Sequence, residues 1–297
     1  MSDASGCEKN TTCGQCDSAG TCDAATQQRH AEEQLKAKLQ FIKHRLAVMS
    51  GKGGVGKTTV AVNLAVALAK MGLKVGVLDG DVHGPNIPRM LGVDKDGLRM
   101  GPNGLLPVAA RDGVKVMSMA FILQSDDTPV AWRGPMKHSL FQQFLSEVDW
   151  GPLDYLVVDL PPGTGDEPLS IAQLLGEPLW TIIVTTPQDV ALLDSRKSVV
   201  FGKTLNMNVL GIIENMSGLI CPHCGGKIDL FKTGGGERSA KELGVPFLGS
   251  IPIDPSVVIG GDAGVPIMYD HAESRSAEVF KRMAEDIHKK VQNSHKA

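Results

Sequence analysis

Gly51-Lys52-Gly53-Gly54-Val55-Gly56-Lys57-Thr58-Thr59 decides the fold. It fits the phosphate-loop pattern G-x-x-x-x-G-K-[ST], which carries weight only between a strand and a helix. Both flanks are there: apolar Leu46-Ala47-Val48-Met49 before it, and a long apolar segment from Val60 to Met71 after it. The glycines let the backbone approach an anion in conformations that a Cβ obstructs. Backbone N–H groups of the loop, including Val55 and Thr59, and the first turn of the helix then face phosphate oxygens. In that geometry Lys57 reaches the β- and γ-phosphates of ATP, and the Thr58 hydroxyl is a ligand for Mg²⁺.

Outward from the loop, short apolar runs end in polar residues. Val75-Gly76-Val77-Leu78 runs into Asp79, Tyr155-Leu156-Val157-Val158 into Asp159, and Thr181-Ile182-Ile183-Val184 into Thr185. Val209 to Ile213 runs into Glu214 and Asn215, and Phe247 to Ile251 into Pro252. Helical patterns over 134–148 and 189–205 lie between them, and Gly113 to Met119 adds a further strand. Near-continuous apolar strands joined by helical crossovers predict an α/β fold, a P-loop NTPase with a mostly parallel, doubly wound sheet. Its polar residues collect at the C-terminal strand edge, where such sheets bind ligands.

The 297 residues suffice for one large α/β domain and a tail, and 42% hydrophobic residues supply its core. Residues 1–26 are expected to form a cysteine-rich tail, 27–44 a linker helix, and 45–293 the nucleotide domain with a C-x-x-C insertion. A net charge of −3 gives no general pull toward nucleic acid or an anionic membrane. No apolar run approaches the ~20 residues of a membrane helix. Met1-Ser2-Asp3-Ala4 lacks the basic and apolar regions of a signal peptide, so the expected location is cytoplasmic. Phe280, Met283, Ile287 and Val291 recur at helical spacing near the C-terminus, but Glu278, Glu285 and Asp286 interrupt the basic face. A helix packed on the domain is therefore expected, rather than one lying on a membrane.

Six cysteines fall in two groups, which in a reducing compartment points to metal rather than disulfides. Cys7, Cys13, Cys16 and Cys22 bring four thiolates and no histidine, suiting a [4Fe–4S] cluster or a zinc site. Their isolation in a tail without core-forming residues favours the cluster. Cys221-Pro222-His223-Cys224 has three readings. A redox dithiol needs its first cysteine at a helix N-terminus, and Gly225-Gly226 starts helices poorly. The pair is otherwise half a zinc knuckle, or half of a four-thiolate site completed by a second subunit.

Lys52 is not needed in an ordinary phosphate loop. GKGGVGKTT resembles the deviant loop of dimeric ATPases: Min-system and ParA-type partition ATPases, the nitrogenase iron protein, the arsenite pump ATPase and the Mrp/NBP iron–sulfur carriers. The resemblance implies that Lys52 reaches the partner's nucleotide and neutralises charge there, as an arginine finger does; a second local phosphate contact is the alternative. It also places Asp79 near the metal and Asp81 on the attacking water. Asp81 to Asn86 resembles switch I. Asp159-Leu160-Pro161-Pro162-Gly163-Thr164-Gly165-Asp166 resembles Walker B and switch II, with Asp159 holding Mg²⁺. Asn215 matches an adenine-binding position flanked by Pro252 and Asp254, or is a strand-end turn residue. With Trp132-Arg133-Gly134-Pro135-Met136, the IENMSG-x2-CPHC stretch and Gly234-Gly235-Gly236-Glu237, the set resembles the Mrp/ApbC/NBP family of iron–sulfur carriers over most of the chain after the tail. The tail resembles the ferredoxin-like motif of some members, although the Cys7–Cys13 interval is shorter than the family's.

That resemblance implies a cytoplasmic homodimeric ATPase with one [4Fe–4S] cluster per N-terminal tail and one bridging the dimer. Its partners would be apo iron–sulfur proteins, with no nucleic acid and no membrane. A partition or positioning ATPase is the chief rival, and has no use for six clustered cysteines. A nitrogenase-type reductase draws its cluster ligands from separate segments, and a zinc-stabilised regulator is the non-enzyme alternative.

Overall fold

The apolar run before the phosphate loop becomes the centre of a sheet. The computed structural model describes residues 24–123, 134–221 and 223–294. The four N-terminal cysteines, with Trp132 and Arg133, lie outside the described residues. Helix α1 (Ala24–Leu39) leads into β1 (Ile42–Met49), the phosphate loop, α2 (Lys57–Lys70) and β2 (Val75–Asp79). The short α3 (Ile87–Met90) follows, then the hairpin β3 (Arg99–Gly101) and β4 (Gly104–Leu106), β5 (Val108–Ala109) and β6 (Lys115–Met117). Next come α4 (Gly134–Ser146), β7 (Leu153–Asp159), α5 (Asp166–Leu175), β8 (Leu179–Thr185), α6 (Asp189–Thr204) and β9 (Asn208–Glu214). A hairpin of β10 (Leu219–Ile220) and β11 (Lys227–Ile228) precedes α7 (Gly235–Leu243) and β12 (Phe247–Ser250). The chain closes with α8 (Pro255–Asp262), α9 (Ile267–Asp270) and α10 (Arg275–Ser294).

The main sheet has eight strands in the order β12-β9-β8-β1-β7-β2-β6-β5. Every pairing is parallel except that of the edge strand β5 with β6. β1 lies between β7 and β8, so Val48 pairs with Asp159 on one side and Ile182 on the other. Such a strand is covered on both faces and reads as unbroken apolar sequence. One core cluster gathers α2, α10 and one sheet face; a second gathers α1, α4, α5 and the other.

Two expectations meet the structure differently. Phe280, Met283, Ile287 and Val291 are buried, in the same cluster as α2, so the C-terminal helix packs on the domain. The linker helix ends earlier than residue 44. It stops at Leu39, and residues 42–44 already belong to β1, pairing through Ile42 with Leu153 and His44 with Tyr155. Leu35 and Leu39 are buried beside Phe141 and Leu175, so the helix is part of the packed domain rather than a spacer. Cross-strand pairing and packing override the polar look of Lys43-His44-Arg45.

Candidate functional site

The phosphate loop needs its glycines for two different reasons. Gly54 and Gly56 take φ of 78° and 79°, the left-handed region that side chains avoid. Gly51 instead lies against the backbone of Asp194 in α6, where a Cβ would collide. Helix α2 starts at Lys57 and is almost wholly buried, so its N-terminus is held rigidly beneath the loop.

Lys57 and Thr58 meet the carboxylate that ends β7. Lys57 Nζ donates to Asp159 Oδ1 at 2.6 Å, and Thr58 Oγ to Asp159 Oδ2 at 2.6 Å. Asp159 is fully buried, and burial outweighs Lys57 to hold its carboxyl above the usual range. Asp79 pairs with Asp159 across β2 and β7. Burial, then the neighbouring Asp159, pushes Asp79 up to about 8. Such a paired-carboxylate floor beneath a phosphate loop favours positive charge.

Asp79 also organises the segment that follows β2. Its oxygens accept from the Asp81 and Ile87 N–H groups, each at 3.2 Å, and from Ser118 Oγ at 3.0 Å. It therefore fixes both ends of the segment from Asp81 to Ile87. Asp81 Oδ1 accepts from the His83 and Gly84 N–H groups, and the residue stays partly exposed. On the other side Gly163, with φ 95°, donates to the Ser50 carbonyl at 2.8 Å and ties the Asp159–Gly163 loop to the end of β1.

Sequence reading missed a charged link between the segment after β2 and the helix after β7. The buried Lys137 of α4 approaches His83 Nε2 at 2.6 Å and also contacts Glu167 Oε1 in α5. His83 belongs to the segment after β2 and Glu167 to the helix after β7. The signal was present: Lys137 directly follows the quoted Gly134-Pro135-Met136, and Glu167 follows Asp166.

Beside the loop, a cavity of about 630 Å³ is lined by Gly56, Thr58, Asn215, Pro252, Asp254 and Phe231, among others. Asn215 is buried and its Nδ2 donates to the Val55 carbonyl at 2.9 Å. Asp254 caps α8 through the Ser256 N–H at 2.9 Å and accepts from Ser276 Oγ at 2.8 Å, so its carboxylate supports the cavity wall. A second cavity of about 810 Å³ between α1, α4 and α5 has neither glycine-rich backbone nor paired aspartates.

Lys52 has no side-chain partner among the described residues; its carbonyl accepts from Ser50 Oγ at 3.0 Å. On α6, beside Gly51, Val190, Leu193 and Val200 are exposed.

Cys221 and Cys224 sit in the turn between β10 and β11. The Cys221 N–H donates to the Gly226 carbonyl and the Gly225 N–H to the Cys221 carbonyl, both at 2.9 Å. Backbone N–H groups of Cys224, then His223, hold the Cys221 thiol below its ordinary value. The turn itself thus supplies the thiolate stabilisation that a helix N-terminus gives elsewhere. No third His, Cys, Asp or Glu joins the pair among the described residues. Both arms leave the sheet at one carboxylate: buried Glu214 accepts from Ser217 Oγ, from Gly234 N–H at 2.9 Å and from Gly236 N–H.

Comparison with known proteins places this geometry. Residues 41–288 match the ParA family model described as NUBPL iron-transfer P-loop NTPase. An iron-sulfur cluster carrier protein of Methanocaldococcus jannaschii is 48% identical over 281 residues, 94% of this chain and 96% of that protein. The cytosolic Fe-S cluster assembly factor CFD1 of Eremothecium gossypii is 49% identical, covering 74% of this chain and 81% of that one. Among solved structures, a nucleotide-binding protein from Archaeoglobus fulgidus in complex with ADP superimposes with a TM-score of 0.70 at 41% identity, over 78% of this chain and 91% of that one. The cell division ATPase MinD of Pyrococcus furiosus gives 0.60 at 28% identity, over 83% and 99%.

Proposed function

Because the chain belongs to the ParA-related family of iron-transfer P-loop NTPases, the Mrp/NBP carriers, we propose that it takes up an iron–sulfur cluster and hands it to apo-proteins under nucleotide control. The observation that carries this reading is the join between two chemistries. Half-buried Cys221 and exposed Cys224 stand on a hairpin that leaves the sheet just beyond Asn215, a residue of the nucleotide cavity wall.

The nucleotide is ATP, and the reaction at the loop is its hydrolysis. Gly51 to Thr59 cradle the phosphates, with Lys57 on the β- and γ-phosphates. The all-oxygen set of Thr58 and Asp159, with Asp79 behind it, suits a hard divalent cation, and Mg²⁺ held there neutralises phosphate charge. Asp81, partly exposed after β2, orients the attacking water. Asn215, Pro252 and Asp254 bound the base.

The working form is a homodimer. Two thiols do not complete a tetrahedral site, and a two-fold axis supplies the other two, giving one bridging [4Fe–4S] cluster per dimer. Lys52 crosses to the partner's nucleotide; its side chain has no partner within the described residues, and the exposed apolar residues of α6 lie beside the neighbouring Gly51. Cys7, Cys13, Cys16 and Cys22 hold a second [4Fe–4S] unit in each tail. No described helix is long and apolar enough to cross a membrane. The setting is the cytoplasm, where thiols stay reduced, with neither nucleic acid nor membrane as partner.

The test is anaerobic reconstitution of the wild type, of Cys221→Ala/Cys224→Ala and of a form lacking residues 1–26. Iron content, oligomeric mass and transfer to an apo-ferredoxin acceptor are measured. The double variant should lose transfer and keep the tail's iron; the truncation should lose about four irons per chain. Undiminished transfer by the double variant overturns the reading. Asp81→Ala should bind ATP and hydrolyse it poorly.

A further inference from the structure

The thiol hairpin and the base cavity share a wall. Leu230 and Phe231, directly after β11, line the cavity between the phosphate loop and Pro252. Leu230 is 58% exposed, an apolar surface at the rim with nothing over it. A flat, uncharged base entering the cavity covers such a surface, and an aromatic ring beside it stacks.

The hairpin is built to move as one piece. Leu219 pairs with Ile228 and Ile220 with Lys227, and the turn hydrogen bonds at Cys221 close its tip. Its ends are fixed. Ser217 N–H donates to the Ile251 carbonyl at 2.9 Å, Ile253 N–H to the Gly218 carbonyl at 2.8 Å, and Glu214 holds Ser217 on one side and Gly234 and Gly236 on the other. Residues in the left-handed region lie among and beside the anchors: Met216 (φ 57°) and Gly218 (φ 75°) before the ladder, Lys232 (φ 68°) and Gly234 (φ 77°) after it. Pinned ends with turn residues beside them leave rotation of the whole hairpin as its soft motion.

We propose that Leu230 and Phe231 read the nucleotide base, and that the hairpin passes the occupancy of the cavity to the Cys221 and Cys224 thiols within a single chain. This rests on the nucleotide and thiol roles proposed above and adds a route between them that uses neither the phosphate loop nor the dimer axis. The base, rather than the phosphates alone, then sets how the thiols are presented. Phe231 acts as a positioning residue: it holds the base and the hairpin together and touches no reacting atom.

The experiment uses the full chain without cluster and two probes, ADP and inorganic pyrophosphate. Pyrophosphate fills the phosphate loop and leaves the base cavity empty. Iodoacetamide alkylation of Cys221 and Cys224 is followed by mass spectrometry. ADP should change both rates and pyrophosphate should not. Phe231→Ala should bind pyrophosphate as the wild type does, bind ADP up to about tenfold more weakly, and alkylate at one rate with or without saturating ADP. Phe231→Tyr, which keeps the ring, should restore the ADP effect. Pyrophosphate acting as strongly as ADP overturns the proposal, as does an ADP effect that persists in Phe231→Ala. ADP bound with the thiols indifferent overturns this coupling alone; failure of ADP to bind the wild type overturns the nucleotide reading itself.

Discussion

The phosphate-binding floor and the thiol hairpin are built in opposite ways. At the floor, Lys57, Asp79 and Asp159 are buried and bond to one another or to backbone, the two aspartates at the ends of strands in the middle of the main sheet and Lys57 at the start of α2. At the hairpin, a two-residue ladder carries a half-buried and an exposed cysteine and a glycine turn, joined to the sheet mainly through the Glu214 carboxylate and the 251–253 strand end. One region is stiff because charge development on a phosphate needs groups already in place. The other is loosely attached, which suits the proposed role of its thiols, since a cargo that must leave needs ligands that can give way. Rigidity and release are thus separated in space and joined at one strand end, Glu214-Asn215.

Substitutions should break this contrast with graded force. Lys57→Ala should have the largest effect. Nucleotide at about 100 Kd stabilises a protein by ~2.7 kcal/mol, and calorimetry should show that gain in the wild type and none in the variant. Glu214→Gln should come next. It weakens acceptance from three donors at a buried position, a loss of about 1–3 kcal/mol. Hydrogen exchange should show it at Gly234 and Gly236 amides while the β1 and β7 amides stay protected. Lys137→Met should leave nucleotide affinity intact and slow hydrolysis several-fold, since it cuts the link between His83 and Glu167 without touching the loop; equal rates in variant and wild type would dismiss that link. Cys221→Ser should be the mildest for stability, about 0.5 kcal/mol for a half-buried turn residue whose hydrogen bonds are made by its backbone. Its chemical mark is reactivity: with its thiol held below the ordinary value, Cys221 should alkylate with a midpoint at lower pH than a free thiol, because more of it is thiolate at neutral pH.

The floor was largely legible in the sequence, because glycines at fixed offsets and aspartates after apolar runs are consequences of local backbone geometry. The hairpin's cysteines were legible as a pair, but its attachment was not. Glu214 reads as one more polar strand end, and only the folded chain brings Ser217, Gly234 and Gly236 to its oxygens. Lys137, His83 and Glu167 come from three separate segments, and no periodicity joins them. The early start of β1 was hidden for a related reason: Lys43-His44-Arg45 looks like helix or linker until Tyr155 packs on His44 and the Leu175 and Glu177 carbonyls accept from Arg45.

The meeting of both hairpin arms at Glu214 has an evolutionary consequence. A segment whose two ends are held side by side can be lengthened, shortened or exchanged at small entropic cost, because the loop is already closed at its base. Residues 219–229, which stop short of the cavity-lining Leu230 and Phe231, are therefore a cassette. A nucleotide-driven switch of this architecture acquires or discards a cargo site by changing that insert alone, with its engine untouched. Replacing the insert by a short glycine turn should yield a chain that still binds ADP and has lost only its freight.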